Sequence, residues 1–309
     1  MKFENDTNDG LSPPTGAAEE FAAALEAATG SAQRQAFEDP MPPAAIRAAL
    51  DGVLMAERPD RGLEVLVRSG VLAAVLPEAS ALVGFGEGVR HKDVWAHTKQ
   101  VVRQTPARLI VRWAGLLHDI GKVSTRRFEP DGTVSFIGHP EIGARMFEKL
   151  ARRLPFEKGE RERLGFLIAG HLRAAAYDTS WTDSAVRRFA RDAGDNLRDL
   201  LDLARADITS KYADKVRRGL RQIELLAERI EAIAVEDAKP AALPKGLGNV
   251  LIAQLGLAPG PRLGDLMDAL RREVEAGRLD AQREHAHYIE HVRSNPDLLA
   301  PLIGRAKES

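Results

Sequence analysis

The chain has 309 residues, a net charge of −1 at pH 7 and no cysteine, which excludes disulfides and any long-range attraction to nucleic acid or anionic lipid. Its length and its 44% of hydrophobic residues are typical of one large globular domain or two smaller ones. The first thirty residues lack the basic and apolar regions of a signal peptide, and no apolar run approaches the ~18 residues of a membrane span. We therefore expect a cytoplasmic protein without membrane contact.

Four segments follow one another along the chain. Residues 1–38 are acidic and poor in large apolar side chains, so we expect a mostly disordered tail in which residues 21–28 could form a short helix. Residues 39–85 predict an N-terminal helical region of short helices separated by Pro and Gly. Residues 86–212 carry the polar residues of a candidate site. Residues 213–309 predict a C-terminal helical extension that begins with one long amphipathic helix.

The spacing of apolar residues indicates the fold class. Almost no stretch alternates with a period of two, except a short hairpin predicted between Phe128 and Phe136 around Asp131 and Gly132. The sequence therefore predicts an all-α fold, in which a helical core is flanked by N-terminal helices and the C-terminal extension. The helices of that extension could also form a homodimer.

The most informative feature is the adjacent pair of His118 and Asp119, which ends the apolar face of a predicted helix. His97, His171 and Asp207 are also predicted to point inward, since each shares a helix face with apolar residues three, four or seven positions away. Burying two unpaired carboxylates is unfavourable, and a bound cation offsets that cost. Imidazole and carboxylate are the ligands that divalent transition metals take where no thiolate is available.

His139 differs from the other candidates because it precedes Pro140, which suits the first turn of a helix. Alone it would be an ordinary residue at a helix N-terminus, and its place between His118 and His171 makes it a candidate ligand. Any one inward histidine or aspartate could equally be a hydrogen-bonded core residue. Several of them on successive helices favour a metal site.

Two basic residues follow the His-Asp pair in a predicted loop and are candidate catalytic residues together with Asp119. An ammonium from Lys122 and a guanidinium from Arg126 would suit the non-bridging oxygens of a phosphate beside a metal. The alternative is that both are solvated loop residues. The sequence therefore predicts a phosphate site here if the metal site is present.

A second basic cluster follows Trp181 on a predicted helix and consists of Arg187, Arg188 and Arg191. It could contact an RNA backbone. A charged helix face in solvent is the favoured interpretation, so we assign this cluster no role from the sequence.

The candidate ligands resemble the signature of the HD-domain metal-dependent phosphohydrolases, in which a His, a His-Asp pair and an Asp follow one another; the matching residues are His97, His118, Asp119 and Asp207. His139 and His171 resemble the two additional histidines of the two-metal members. The resemblance therefore implies a helical HD domain at residues 86–212.

Three stretches resemble more closely the C-terminal HD half of bacterial CCA-adding tRNA nucleotidyltransferases, namely residues 91–98, 181–188 and 205–207. This resemblance covers about residues 42–280 and is most specific in its middle third. The nucleotidyltransferase head of those enzymes is not recognisable here, because only about forty tail-like residues precede the helical part. Nucleotide addition is therefore not expected, and the chain resembles a version of the HD half alone.

The resemblance implies a metal-dependent phosphohydrolase. Some HD halves of that family hydrolyse 2′,3′-cyclic phosphates and 2′-phosphates, so we expect a 2′,3′-cyclic nucleotide phosphodiesterase or phosphatase that acts on nucleotides or RNA ends. Contact with tRNA or another RNA is also implied. Two alternatives stay open: a nucleotidase or signalling-nucleotide hydrolase, and a tRNA- or RNA-binding helical module whose HD site is vestigial.

The cofactor that the resemblance implies is a pair of divalent metal ions, shared by Asp119. His97, His118 and Asp207 would hold one ion, and His139 with His171 the other; in a one-metal alternative these last two bind substrate phosphate directly. The residue types are compatible with Mn, Ni, Co, Fe, Zn or Mg, although imidazole-rich sites lean away from Mg, which prefers oxygen ligands.

Overall fold

A computed structural model describes residues 41–86, 93–238 and 241–298. The predicted tail at residues 1–38 and its short helix lie outside the described residues, as do His91 and Lys92 of the first resemblance stretch. The described chain is helical apart from one two-stranded hairpin and the connecting turns, which confirms the all-α prediction. It forms two compact units, divided after Glu231.

The first unit holds the helices that surround the candidate ligands. In chain order its elements are α1 (Pro43–Met55), α2 (Pro59–Arg68), α3 (Val71–Val75), α4 (Pro77–Ser80), α5 (Val94–Gln104), α6 (Leu109–Leu117), α7 (Lys122–Thr125), β1 (Arg127–Phe128), β2 (Val134–Ser135), α8 (His139–Leu150), α9 (Lys158–Gly170), α10 (Asp183–Ala193), α11 (Leu197–Asp207) and most of α12 (Ala213–Ala238). The predicted long amphipathic helix of the C-terminal segment is α12.

The second unit contains α13 (Leu247–Leu255), α14 (Pro261–Glu275) and α15 (His285–Ser294), followed by one 3₁₀ turn. Its core is a cluster of buried residues that includes Leu251, Leu270 and Tyr288. The Tyr288 hydroxyl donates to the Asp280 carbonyl oxygen at 2.8 Å, so its buried polar end is satisfied. Across the described chain, every helix is too short or too polar to serve as a membrane span.

Local sequence signals determine where the site-bearing helices begin. The Asp93 side chain caps α5 by accepting hydrogen bonds from the Trp95 and Ala96 amides at 2.9 and 3.1 Å. Thr182 caps α10 in the same way, and Pro140 lies in the first turn of α8, where its missing N–H costs nothing. These caps fix the register of the helices and hence the direction of the residues they carry.

Helix α6 is the centre of the first unit. Its residues from Val111 to Leu117 are buried on all sides, and it packs against α1, α5, α9 and α11. The Trp113 indole N–H donates to the Asp51 carboxylate at 2.6 Å, so the largest buried side chain of the unit also has its polar atom paired. Because α6 lies among these helices, the His-Asp pair at its C-terminal end is enclosed by residues from its neighbours.

The segment after the His-Asp pair combines a helical turn and a hairpin. The predicted hairpin is confirmed, with Arg127 opposite Ser135 and a turn in which Gly132 takes φ of +79°. The predicted loop that carries Lys122 is instead the short helix α7. The chain continues in a helical conformation after α6, and the Lys122 amide donates to the Asp119 carbonyl oxygen at 2.9 Å.

We expect Gly121→Ala to destabilise the protein strongly. A Cβ on Gly121 would overlap the His139 carbonyl oxygen and lie 2.8 Å from the Gly143 amide nitrogen, so α7 and the start of α8 would have to separate. Backbone cannot move aside as a side chain can, so the expected loss is at least about 2 kcal/mol in the free energy of unfolding.

Urea unfolding of this variant beside Gly159→Ala gives a matched comparison. Gly159 lies in the first turn of α9, where an added Cβ meets nothing within 4 Å, and alanine there should be neutral or stabilising by up to about 1 kcal/mol. Equal stabilities for the two variants would show that the close approach at Gly121 does not exist.

Candidate metal centre

The structure brings all six predicted metal ligands together. They come from different helices and reach one point at the end of α6. His97 lies in the second turn of α5, His118 and Asp119 follow α6, His139 begins α8, His171 follows α9 and Asp207 ends α11. Four of them are buried, namely His118, Asp119, His139 and His171.

One group of ligand atoms surrounds the second oxygen of Asp119. His118 Nε2 lies 3.1 Å from Asp119 Oδ2 and 3.2 Å from His97 Nε2. Asp207 Oδ1 lies 3.0 Å from His97 Nε2 and 3.4 Å from His118 Nε2. Two imidazole nitrogens and two carboxylate oxygens therefore converge on one small volume, which is the kind of ligand set that a divalent transition metal takes.

A second group surrounds the first oxygen of Asp119. His139 Nε2 lies 3.4 Å from Asp119 Oδ1 and 3.2 Å from His171 Nε2, and His171 Nε2 lies 3.9 Å from the same carboxylate oxygen. Asp119 thus presents one oxygen to each group. In both trios that contain Asp119, with His97 and His118 or with His139 and His171, the ligand atoms lie within 4.8 Å of one another.

Backbone carbonyls determine which nitrogen of three histidines faces the centre. Nδ1 of each ring lies next to a carbonyl oxygen: Gly115 for His118 at 2.9 Å, Phe136 for His139 at 2.8 Å and Ile168 for His171 at 2.8 Å. A carbonyl oxygen can only accept a hydrogen bond, so Nδ1 must carry the proton and Nε2 of the neutral ring keeps its lone pair. Such partners are typical of metal-binding histidines because they fix the tautomer and the ring direction.

The electrostatics of the centre favour bound positive charge. Burial lowers the pKa of the His118 imidazole, but Asp119 and Asp207 outweigh burial and raise that pKa to about 10. Burial raises the pKa of both carboxyls, but the charge of His118 holds each pKa well below its usual range. Burial, and then the charge of His118, lower the pKa of His171 to about 4. A metal at Nε2 of His118 would replace the proton there, so binding should release it.

Two local observations fit a metal at this centre. Asp119 Oδ2 is buried and accepts no hydrogen bond of good geometry from the described residues, although Lys122 Nζ lies 2.9 Å away. With neutral rings, the Nε2 lone pairs of His139 and His171 would face each other at 3.2 Å, which a shared cation relieves. The His and Asp groups at this point could therefore hold a metal ion.

The two predicted basic residues lie in different places. The Lys122 side chain is 14% exposed, and its ammonium lies beside Asp119 and 5.4 Å from the centre of the Phe136 ring. Arg126 is exposed; its guanidinium lies over the rings of Phe85 and Phe128, 4.5 and 5.3 Å from their centroids. Among the described residues, the structure therefore brings Lys122 to the candidate ligands and places Arg126 outside them.

Two residues that shape the candidate centre were not recognised from the sequence. Thr209 is buried, and its hydroxyl lies 2.7 Å from His97 Nδ1, where it takes the place that backbone carbonyls have at the other rings. Gly121 allows α7 to approach the start of α8, which carries His139. One signal in the sequence pointed to Thr209, which lies two residues after the candidate ligand Asp207. None pointed to Gly121, because a close approach of two backbone segments leaves no periodic pattern in the sequence.

Comparisons with known proteins agree with this geometry. Residues 91–216 match the model of the HD domain family. The chain is 32% identical over 254 residues to an A-adding tRNA nucleotidyltransferase of Deinococcus radiodurans, which covers 79% of this chain and 57% of that protein. It is 32% identical over 263 residues to a CC-adding tRNA nucleotidyltransferase of Thermus thermophilus, which covers 82% and 58%. A multifunctional CCA protein of Dechloromonas aromatica is 38% identical over 107 residues, 33% of this chain and 25% of that protein.

These matches confirm the predicted resemblance to the HD domain and to tRNA nucleotidyltransferases. The chain spans a little over half the length of the first two relatives, 57% and 58%. The aligned part includes the HD domain and hence all six ligand positions.

We expect divalent metal ions to stabilise the folded protein through this centre. A ligand that binds only the native state at a free concentration of 100 times its Kd adds about 2.7 kcal/mol to the free energy of unfolding. Thermal unfolding of metal-stripped protein, with Mn, Ni, Co or Zn added back separately, should show this as a rise in Tm. Asp119→Asn should lose most of the rise because Asp119 contributes an oxygen to both ligand groups.

Asp195→Asn is the matched control, since Asp195 is exposed and lies outside the centre in the 3₁₀ turn Gly194–Asn196. It should keep the full rise in Tm. A rise of equal size in the Asp119 variant would mean that the metals act elsewhere on the protein.

Proposed function

We propose that this chain, whose residues 91–216 match the HD domain family, is a metal-dependent phosphohydrolase that acts on 2′,3′-cyclic phosphates and phosphate monoesters of nucleotides or RNA ends. The observation that carries the proposal is the position of Asp119, 1% exposed, with one oxygen toward each of two groups of histidines. Such a shared carboxylate supports two divalent cations, and the imidazole-rich ligands favour Mn, Ni, Co, Fe or Zn over Mg.

The six ligand residues would divide between the two cations through Asp119: His97, His118 and Asp207 at one, His139 and His171 at the other. When bound, the cations would neutralise charge on the phosphoryl oxygens and lower the pKa of water toward about 7. In the hydrolysis of a cyclic phosphate, the oxygen of water joins phosphorus, one P–O bond breaks and the freed ribose oxygen gains a proton. The products are a phosphate monoester and a hydroxyl.

Lys122 would contribute a fixed positive charge at the reacting phosphate. Its ammonium is held 2.9 Å from Asp119 Oδ2, and its aliphatic chain is shielded from solvent, so little entropy is lost when it turns to a phosphate oxygen. A charge held in place beside the ligands stabilises the transition state more than a mobile one does. This position supports Lys122 as a catalytic residue.

Arg126 would act further from the reacting atoms. It lines a groove with Arg127 and Arg145, and that groove continues to Gly138, the residue before the ligand His139. Stacking on Phe85 and Phe128 fixes its guanidinium at this groove. Its place supports contact with a phosphate of the substrate outside the metal centre.

The relatives favour an RNA substrate, since the first two are named as enzymes that add nucleotides to tRNA. The part of the chain that matches them includes the HD domain, so we propose an RNA end as the source of the phosphate. A nucleotidase or a hydrolase of signalling nucleotides would use the same centre on free nucleotides. An RNA-binding module with a vestigial site would bind RNA without metal-dependent turnover.

We expect metal-stripped protein to release 2′- or 3′-AMP from 2′,3′-cyclic AMP only after addition of a divalent metal. His118→Ala and Asp119→Ala should abolish turnover, because each removes a ligand, while far-UV circular dichroism stays helical. Chromatographic assay of the products with Mn, Ni, Co and Mg added separately identifies the working cation. His285→Ala, in the second unit, is the control histidine and should keep its activity.

Wild-type turnover by either ligand variant would refute the assigned centre. If no metal supports hydrolysis of 2′,3′-cyclic AMP but nucleoside mono- or triphosphates are hydrolysed, the nucleotidase alternative is favoured. RNA binding that weakens with salt, in a protein without any turnover, would favour the vestigial site.

Lys122→Met and Arg126→Met should separate the two basic residues kinetically. We expect Lys122→Met to lower kcat about 100-fold or more, because the ammonium beside Asp119 would contact the reacting phosphate. Arg126→Met should mainly raise KM, about ten-fold, and more for an oligonucleotide than for cyclic AMP. Steady-state kinetics on both substrates measures this, with Lys158→Met, an exposed lysine of α9, as control. A kcat for Lys122→Met within two-fold of wild type would exclude a catalytic role.

A further inference from the structure

A second groove lies outside the candidate metal ligands. Its apolar walls include Trp181 and Phe189, Ser180 and Thr182 supply polar atoms, and it is completed by Arg173 and Arg188. Arg173 follows the ligand His171 by two residues, and its amide donates to the Gly170 carbonyl oxygen at 2.9 Å. The Cα atoms of His171 and Arg173 are at most about 7.6 Å apart, so the groove and the candidate metal centre share the chain segment that follows α9.

Trp181 is held firmly at this groove. Its ring is packed edge to face against Tyr177, at 5.5 Å between centroids, and against Phe189 at 5.9 Å. The segment before it is fastened to α12, because the Gln222 side-chain amide donates to the carbonyl oxygens of Ala175 and Tyr177. Trp181 is nevertheless only half-buried, so a fixed aromatic surface remains accessible to a ligand.

The charges of the groove suit an anion beside an aromatic group. Arg188 is exposed and makes no ion pair with another described residue, so its guanidinium can receive a phosphate. Arg173 is oriented by Asp192 at 3.1 Å and by the Phe189 ring at 5.5 Å. A purely apolar partner would leave the Arg188 guanidinium without a counter-charge, whereas a nucleotide supplies a ring for Trp181 and a phosphate for Arg188.

We propose that this groove binds a nucleotide of an RNA substrate, with its base stacked on Trp181 and its phosphate paired with Arg188 and Arg173. The inference rests on the proposed function and extends it, because a base subsite outside the metal centre favours RNA over isolated phosphate esters as the substrate. It also gives part of the basic cluster after Trp181 a binding role: Arg188 lines the groove, and Arg191, one turn further along α10, does not.

The first test is equilibrium binding of fluorescein-labelled tetraadenylate RNA, followed by anisotropy at 0.1 M salt. Trp181→Leu, which keeps an apolar side chain, should weaken binding about ten-fold or more, as expected for loss of one stacked base. Arg188→Gln should also weaken binding several-fold and reduce its dependence on salt. Arg191→Gln is the matched control and should bind within two-fold of wild type.

Tryptophan fluorescence shows directly where the base binds. The chain has three tryptophans, and Trp95 and Trp113 are 3% and 0% exposed, so unlabelled tetraadenylate should quench Trp181 alone. The saturable quench seen in wild type should vanish in Trp181→Leu. If that variant fails to fold by circular dichroism, the affinity of Arg188→Gln still decides the matter, since Arg188 is exposed and its replacement removes no packing.

The outcomes separate this inference from the function on which it rests. Affinities of Trp181→Leu and Arg188→Gln equal to that of wild type would overturn the groove as the binding site. Metal-dependent opening of cyclic AMP by a protein that does not bind tetraadenylate would also overturn it and leave the hydrolase intact. The protein could also bind tetraadenylate in a way that depends on Trp181 and Arg188 but hydrolyse no substrate with any metal. That result would support the groove as a binding site and refute the proposed hydrolase function.

Discussion

The burial of one carboxylate, that of Asp119, is the constraint on which the rest of the first unit depends. A charge so far from water is tolerated only where opposite charge or a metal lies against it. The surrounding helices place imidazoles on both sides of this carboxylate, so that each oxygen of Asp119 faces its own group of histidines. The centre therefore favours bound positive charge. The raised pKa of His118 supplies it as a proton, and a divalent cation would supply more.

The backbone is part of the same arrangement. Carbonyl oxygens one turn before His118 and His171 hold the rings so that Nε2 points inward, and the Phe136 carbonyl at the end of the hairpin does so for His139. Gly121 allows the neighbouring segments to touch backbone to backbone. Ring direction is thus fixed before any metal binds, and preorganised ligands bind a metal without the cost of ordering them.

The surroundings of the centre differ in kind from the centre itself. Its candidate ligands are imidazoles and carboxylates, four of them buried, whereas two grooves outside them are lined by arginines. The overall charge of −1 does not show this local difference, because it sums acidic and basic residues over the whole chain. In the proposed function, these arginines would attract an RNA end locally, without the general affinity for nucleic acid that a high positive net charge gives.

The sequence alone determined the helical class, the long helix α12, the hairpin at Gly132 and the ligand types, because each depends on local periodicity, turn chemistry or residue identity. Only the tertiary structure decided which of these residues meet. His97 and Asp207 are far apart in the chain, and their contact follows from the packing of α5 and α11 around α6. Likewise, the packing places Lys122 beside Asp119 and places Arg126 against two aromatic rings. Their spacing from the His-Asp pair could not distinguish them, because the direction of each side chain depends on the helical turn that α7 adds after α6.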